Sequence, residues 1–332
     1  MAFDEPEKRL RIVIPGGSGQ IGGALARYFQ GRGHTVTVLT RSPFAAEYQT
    51  VHWDGEHEGQ WTETLEGADV CINLAGRSIN CRYTARNRGE ILHSRVASTR
   101  LLGRVIARLQ NPPRVWLNAS AANIYRHATD RPMDEEAGEI GGAEMISKRR
   151  RAPAKWDFPV RVALDWEAAL FAAYTPGVRR VALRTSIVMG PEGGGAFSVL
   201  LNLVRLSLGG TQGNGRQMVS WIHELDFARA VEFLIEREDL DGPVNMAAPQ
   251  ALPNREFMAE LREAAGMPNG LPAPTPLLEL GALFLRTETE LVLKSRWIAP
   301  RRLLEAGFDF QFPEWRAAAE DLVRQKKQLA RS

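Results

Sequence analysis

Short apolar runs alternate with amphipathic stretches through most of the chain. Ile12-Val13-Ile14, Thr35 to Arg41, Val51 to Asp54, Ala68 to Gly76, Val115 to Ser120, Arg179 to Leu183 and Val244 to Met246 read as strands. The first has apolar neighbours on both sides of the pleat, as a strand covered on two faces requires. Between them Ile21, Leu25, Tyr28 and Phe29 mark one face of a helix. Ile91, Leu92, Val96, Leu102, Val105, Ile106 and Leu109 do the same for a helix over Arg88–Leu109, stopped by Asn111-Pro112-Pro113. Val162, Trp166, Leu170 and Ala173 predict a helix over Val160–Tyr174. Asp226 is placed to start a helix through Ile235, and Asn254 to cap another. Helices over Leu277–Leu285 and from Glu314 close a C-terminal part that lacks strands. The expected class is α/β: a Rossmann-type, doubly wound parallel sheet followed by a smaller, mainly helical substrate region.

The most informative stretch joins the first two strands. It reads Gly16-Gly17-Ser18-Gly19-Gln20-Ile21-Gly22 and sits between a strand and a helix. Gly16 and Gly17 permit a sharp turn, and Gly19 leaves the backbone bare for a diphosphate. Gly22 lets the following helix pack closely, and the free N–H groups at the helix start attract an anion. This predicts dinucleotide binding, with Gln20 and Ile21 in the cradle. At the end of the second strand stand Thr40, Arg41 and Ser42, with no acid to hold a ribose 2′-hydroxyl. A basic residue there suits a 2′-phosphate, so the expected cofactor is NADP(H). The alternative for Arg41 is a plain surface arginine.

The spacing Gly-x-x-Gly-x-x-Gly resembles the short-chain dehydrogenase/reductase superfamily, and its extended branch in particular. Later stretches extend the resemblance. Asn73-Leu74-Ala75-Gly76 is similar to the family's Asn-x-Ala-Gly turn, and Arg184 to Pro191 to its Arg-x-x-x-x-x-Gly-Pro segment. Gly215-Arg216-Gln217-Met218-Val219-Ser220-Trp221-Ile222-His223 and Pro300 to Phe308 are similar to the atypical epimerase/dehydratase-like group of the 39U type. Pro15 stands where the family has Thr, and Arg126 where the group has Gly.

The resemblance implies roles. Leu74, Ala75 and Gly76 would line the cofactor ribose, Asp54 the adenine, Glu90 and Arg95 the cofactor's flank, and Val188 the nicotinamide. Asp54 reads equally as a turn-former, and Glu90 and Arg95 as surface residues. Ser120 and Tyr125 are the candidate catalytic hydroxyls, the alternative for Ser120 being a cap on its strand. Trp221 and His223 are candidate substrate contacts; a histidine fixed by a carboxylate such as Asp226 is the other reading of His223.

The superfamily's Tyr-x-x-x-Lys pair is missing. Aligning Asp165-Trp166-Glu167 puts Pro159 and Ala163 at its two positions. Tyr125 with Lys148 or Lys155 would substitute only if the polar loop over 130–154, with its basic run at 148–151, folds back.

Composition narrows the remaining choices. The net charge of +3 on 332 residues, with no interleaved basic and aromatic face, argues against nucleic acid. The two cysteines, Cys71 and Cys81, give no disulfide framework and point to a reducing, cytoplasmic setting. No apolar run approaches a membrane span, residues 1–9 do not read as a signal peptide, and no metal-type Cys/His spacing occurs. The expected organisation is an NADP-binding domain over 8–190, rejoined by 216–248, with 191–215 and 249–330 forming the substrate region. The expected partner is a small hydroxyl- or carbonyl-bearing substrate, on a monomer or homodimer. A non-catalytic NADPH-binding sensor or scaffold is the other function the chain suggests.

Overall fold

A computed structural model describes residues 9–141, 145–147, 150–151, 156–284, 288 and 290–331. Lys148 and Lys155 lie outside the described residues. In chain order come β1 (Arg11–Pro15), α1 (Gln20–Gly31), β2 (Thr35–Thr40), β3 (Gln49–His52), β4 (Val70–Asn73), α2 (Ala85–Ile106) and β5 (Val115–Ala121). A short hairpin of β6 (Met145–Ser147) and β7 (Arg150–Arg151) precedes α3 (Asp157–Phe171) and β8 (Arg179–Thr185). Then follow β9 (Ile187–Met189), α4 (Ala196–Arg205), β10 (Met218–Val219), β11 (Trp221–His223), α5 (Glu224–Glu236), β12 (Gly242–Met246) and β13 (Leu252–Pro253). The chain ends in α6 (Asn254–Ala265), α7 (Thr275–Phe284), α8 (Glu290–Leu293), α9 (Arg301–Glu305) and α10 (Trp315–Leu329).

Among the described residues the main sheet has seven parallel strands in the order β12-β8-β5-β4-β1-β2-β3. The order reverses between β1 and β4, which opens a crevice at their carboxyl ends. Alternate residues of these strands face opposite sides. Ile12, Ile14, Val36, Val38, Val70 and Ile72 enter one core with α1 and α5. Val13, Leu39, Cys71, Trp116 and Ala182 enter the other, under α2 and the end of α3. A third core, around Phe197, Trp221, Phe257 and Trp315, ties α4 and α6 to α10.

The expected elements form, with shifted ends. α2 begins at Ala85 because Thr84 caps it, its hydroxyl accepting from Asn87 N at 3.2 Å. α3 runs from Asp157 to Phe171, three residues earlier than periodicity predicts. The expected starter of α5, Asp226, is not its cap. His223 takes that place, Nδ1 accepting from Leu225 N at 3.1 Å. Asp226 is fully buried and accepts instead from Gln311 N and Phe312 N at 2.8 and 2.7 Å, anchoring the C-terminal segment.

Candidate functional site

The glycine turn is built by contact. Gly16 has φ +77°, a left-handed angle that glycine adopts without strain. A methyl group there would lie 2.7 Å from the Ala75 backbone, so the turns after β1 and β4 touch at this point. Gly17 is different from expectation: it lacks the left-handed angle, and its small size serves packing against Val38 and the Ile14 carbonyl. Gly22 likewise meets the backbone of Gly17, within the turn itself, rather than the sheet. At Pro15 the ladder does not require an N–H; its carbonyl accepts from Leu74 N at 2.8 Å.

Gly19 stands in the open, with only the Gly16 carbonyl, 3.8 Å away, near an added methyl. It precedes α1, whose first turn has no acidic residue and no side-chain cap. Those unsatisfied N–H groups and the helix dipole make an anion site. Thr40 links the end of β2 to this turn, Oγ1 donating to Ser18 Oγ at 3.0 Å, and it accepts from Ser42 N at 3.4 Å. Arg41 and Ser42 beside it are exposed. Ile21 packs on the core below.

Gln20 opens α1, and its Nε2 is buried with no hydrogen-bond partner among the described residues. A methyl on Gly195 would fall on the Gln20 amide, and one on Gly190 would fall on the Glu224 carboxylate and 3.0 Å from Gln20 Nε2. Glu224 therefore stands next to the anion site. Burial, and then the neighbouring Glu192, push its carboxyl up to about 7, against a smaller opposing effect of Arg27.

The β4 turn is held from beneath. Asn73 is buried; its Oδ1 accepts from Ala75 N at 3.1 Å and its Nδ2 donates to Asn118 Oδ1 at 2.7 Å. The guanidinium of Arg95 lies against Gly76, donates to the Arg77 and Ile91 carbonyls at 3.0 Å, and sits 5.0 Å over the Trp166 ring. Glu90 is engaged by Arg77 and by Arg86 Nε at 2.7 Å. Its carboxylate braces the loop after β4, a correction to the expectation that it faces a cofactor. Asp54 is also corrected: Oδ1 accepts from Glu56 N and His57 N at 2.8 and 2.9 Å, and Oδ2 pairs with His57 Nδ1. Those bonds, His57 N first, hold its pKa down to about 2 and commit it to its own turn.

Ser120 and Tyr125 are brought together, but in a closed network. Ser120 Oγ donates to Glu167 Oε1 at 2.6 Å. Arg184 pairs with both oxygens of Glu167, at 2.9 and 2.8 Å, and donates to the Tyr125 hydroxyl at 2.8 Å. Tyr125 in turn donates to Asn245 Oδ1 at 3.0 Å. Ser120 is 5% exposed and Tyr125 1%. Burial, opposed by Arg184, raises the phenol's pKa above its usual value, so this tyrosine is poorly suited to give up a proton near neutrality. Pro159 and Ala163 are buried on α3 where the superfamily's pair would stand. Glu167, Arg184 and Asn245 escaped the sequence reading, although one signal existed. Val160, Ala163, Glu167 and Leu170 follow a helical spacing, and Glu167 is the charge on that apolar face.

Two further expectations change, those for Trp221 and His223. Trp221 is fully buried, its ring 5.0 Å from Trp315 and its Nε1 donating to the Gln250 carbonyl. His223 is 1% exposed, stacked on Phe312 and 3.2 Å from Asp321, not Asp226. Neither reaches a surface a substrate could occupy; both are core. Val188 is a core residue too, paired with Ile222 between β9 and β11.

A parallel sheet in this order, with a bare glycine turn at its reversal, defines the class of dinucleotide-binding Rossmann proteins. The profile of the NAD dependent epimerase/dehydratase family matches residues 12–247, and a domain of unknown function, DUF1731, matches 273–322. The chain belongs to that family, in the extended branch of which the epimerase family protein SDR39U1 is a member. The bovine SDR39U1 is 33% identical over 320 residues, covering 95% of this chain and 100% of the relative. YfhF of Bacillus subtilis is 29% identical, covering 96% and 99%. The crystal structure of human SDR39U1 (isoform 2) with NADPH superposes with a TM-score of 0.81 at 30% identity, covering 95% and 99%. No helix among the described residues is long and apolar enough to cross a membrane.

Proposed function

We propose that this chain binds NADP(H) and works as an oxidoreductase or epimerase-like enzyme on a small hydroxyl- or carbonyl-bearing substrate, without the Tyr-x-x-x-Lys pair. The observation that carries the reading is the open Gly19 before the uncapped start of α1, with Arg41 and Ser42 exposed beside it. The main-chain N–H groups of Gln20 to Gly22, beside the bare Gly19, take the diphosphate, Leu74 to Gly76 and Arg95 flank the ribose side, and Arg41 takes the 2′-phosphate. When bound, the nicotinamide supplies or accepts a hydride. The substrate region, proposed over 191–215 and 249–330, closes the carboxyl edge of the sheet. The unpaired Cys71 and Cys81 support a reducing, cytoplasmic setting.

One observation favours a second reading. Ser120 and Tyr125 are consumed by Glu167, Arg184 and Asn245, so neither is free to meet a substrate oxygen. A non-catalytic NADPH-binding sensor or scaffold needs neither.

Calorimetric titration with NADPH and NADH tests the cofactor reading: tight NADPH and much weaker NADH binding support it, and no uptake of either sinks it. Absorbance at 340 nm, lost from NADPH with aldehydes and ketones or gained from NADP+ with hydroxy compounds, separates the two functions. Sustained turnover removes the scaffold; binding without turnover removes the enzyme.

A further inference from the structure

Three buried polar side chains join α2, α3 and β5 to the turn after β4. Asn73, Thr99 and Asn118 are each at most 1% exposed. Asn73 and Asn118 continue the faces of β4 and β5 that carry Cys71 and Trp116 into the core under α2. Trp166 Nε1, on α3, donates to Thr99 Oγ1 at 3.0 Å. Asn73 Nδ2 donates to the same oxygen at 3.2 Å and to Asn118 Oδ1 at 2.7 Å. Thr99 gives its one hydroxyl proton to Asn118 Oδ1 at 3.3 Å. Asn73 Oδ1 accepts from Ala75 N at 3.1 Å.

The bonds have a direction. The Ala119 carbonyl can only accept, so it takes the NH2 of Asn118, at 2.8 Å, and turns Asn118 Oδ1 towards Asn73. That oxygen takes the NH2 of Asn73, which leaves Asn73 Oδ1 for the Ala75 N–H. Trp166 Nε1 can only donate, so Thr99 Oγ1 receives it and passes its own proton on. Thr99 is thus bonded to Trp166, Asn73 and Asn118 at once. At this burial a lost bond is not made good by bulk water.

Ala75 is where the network meets the anion site. A methyl on Gly16 would lie 2.7 Å from Ala75 N and Cα, so the two turns pack as one unit. Gly76, the next residue, lies against the Arg95 guanidinium, itself 5.0 Å over the Trp166 ring. α3 therefore reaches the turn by two routes, both through Trp166.

We infer that Thr99 is a positioning residue for the cofactor: through Asn73 its hydroxyl fixes the Ala75 amide, and with it the face of the Leu74–Gly76 turn that meets a ribose. Thr99 itself touches no ligand. The inference deepens the NADP(H) reading and rests on it for the identity of the ligand.

Thr99→Val removes the hydroxyl and keeps the shape. In the full chain, calorimetry is expected to show NADPH bound about tenfold more weakly than by the unaltered protein. Amide NMR of the cofactor-free variant is expected to show the Ala75, Gly76 and Gly16 signals moved, and Thr99→Ser to restore both readings. Leu322→Ala, in the third core, removes stability away from the turn. It is expected to lower the urea midpoint and leave NADPH affinity unchanged. An equal loss of affinity in Leu322→Ala would make Thr99 merely structural and overturn the inference. So would unmoved Ala75 and Gly76 signals in Thr99→Val, or a Thr99→Ser variant as weak as Thr99→Val. If Thr99→Val does not fold, Trp166→Phe removes the indole N–H and keeps an aromatic ring beneath Arg95, and the same signals and affinity decide on it. If the unaltered protein takes up no NADPH, the cofactor reading fails, while the cofactor-free spectra still decide whether Thr99 sets the turn.

Discussion

Replacing Glu224 with glutamine isolates the effect of one carboxyl on cofactor affinity. The group sits at the start of α5, beside the Gln20 amide that opens α1. Its pKa of about 7 means it is neutral in mild acid and charged in mild base. Once charged, it faces the diphosphate with like sign. For two charges one Debye length apart, about 8 Å in physiological salt, an effective dielectric of about 20 gives roughly 2 kcal/mol of repulsion per pair, and screening cuts this by more than half. Two phosphate charges leave about 1–2 kcal/mol, or roughly tenfold in affinity. NADPH affinity is therefore expected to fall about tenfold between pH 6 and pH 8. Glu224→Gln should remove this slope and keep the tighter value. Comparison with the variant matters because the 2′-phosphate titrates in the same window. Binding must also raise the carboxyl's pKa further, so calorimetry in buffers of different ionisation enthalpy should show proton uptake near pH 7. The same carboxyl governs stability. Its raised folded-state pKa favours folding below about pH 4.5, an advantage lost as pH rises through 7, worth on the order of 3 kcal/mol. A pH slope unchanged in Glu224→Gln, or binding that releases protons, would refute the placement of this charge beside the anion site.

Three other outcomes follow from the geometry. Gly19→Ala is expected to fold normally and lose NADPH, because its methyl points into open space, whereas Gly16→Ala should destabilise the protein outright, through both its φ of +77° and the Ala75 contact; urea melts and calorimetry on the two variants separate cradle from scaffold. Arg41→Ala should weaken NADPH by roughly tenfold, the low end for a charge-assisted bond because the side chain is exposed, and leave NADH unchanged; equal loss for both cofactors would remove Arg41 from the 2′-phosphate. Glu167→Ala should lower unfolding free energy by about 3–5 kcal/mol, since it strands the buried Arg184, and a urea-melt loss below about 1 kcal/mol would show that water reaches the pair.

Hydrophobic period and glycine spacing made the fold and the anion site legible, because both follow from local geometry. Ile12 to Ile14, the glycine turn and the α1 stripe need only neighbours in sequence to be understood. The roles carried by resemblance fared differently. Glu90, Trp221 and His223 stand at matching positions, yet partners come from other segments: Arg77 for Glu90, Trp315 for Trp221, Asp321 for His223. No spacing rule reports such pairs.

The loss of the Tyr-x-x-x-Lys pair and the presence of the Glu167–Arg184 pair have one physical cause. With Pro159 and Ala163 on α3, neither position that holds the superfamily's pair can supply a phenol or an ammonium group. Arg184 does reach Tyr125, but Glu167 already neutralises it through two bonds, and the phenol's pKa stays above its ordinary value. The network therefore fixes the end of β5 against α3 and β8 and stores no mobile proton.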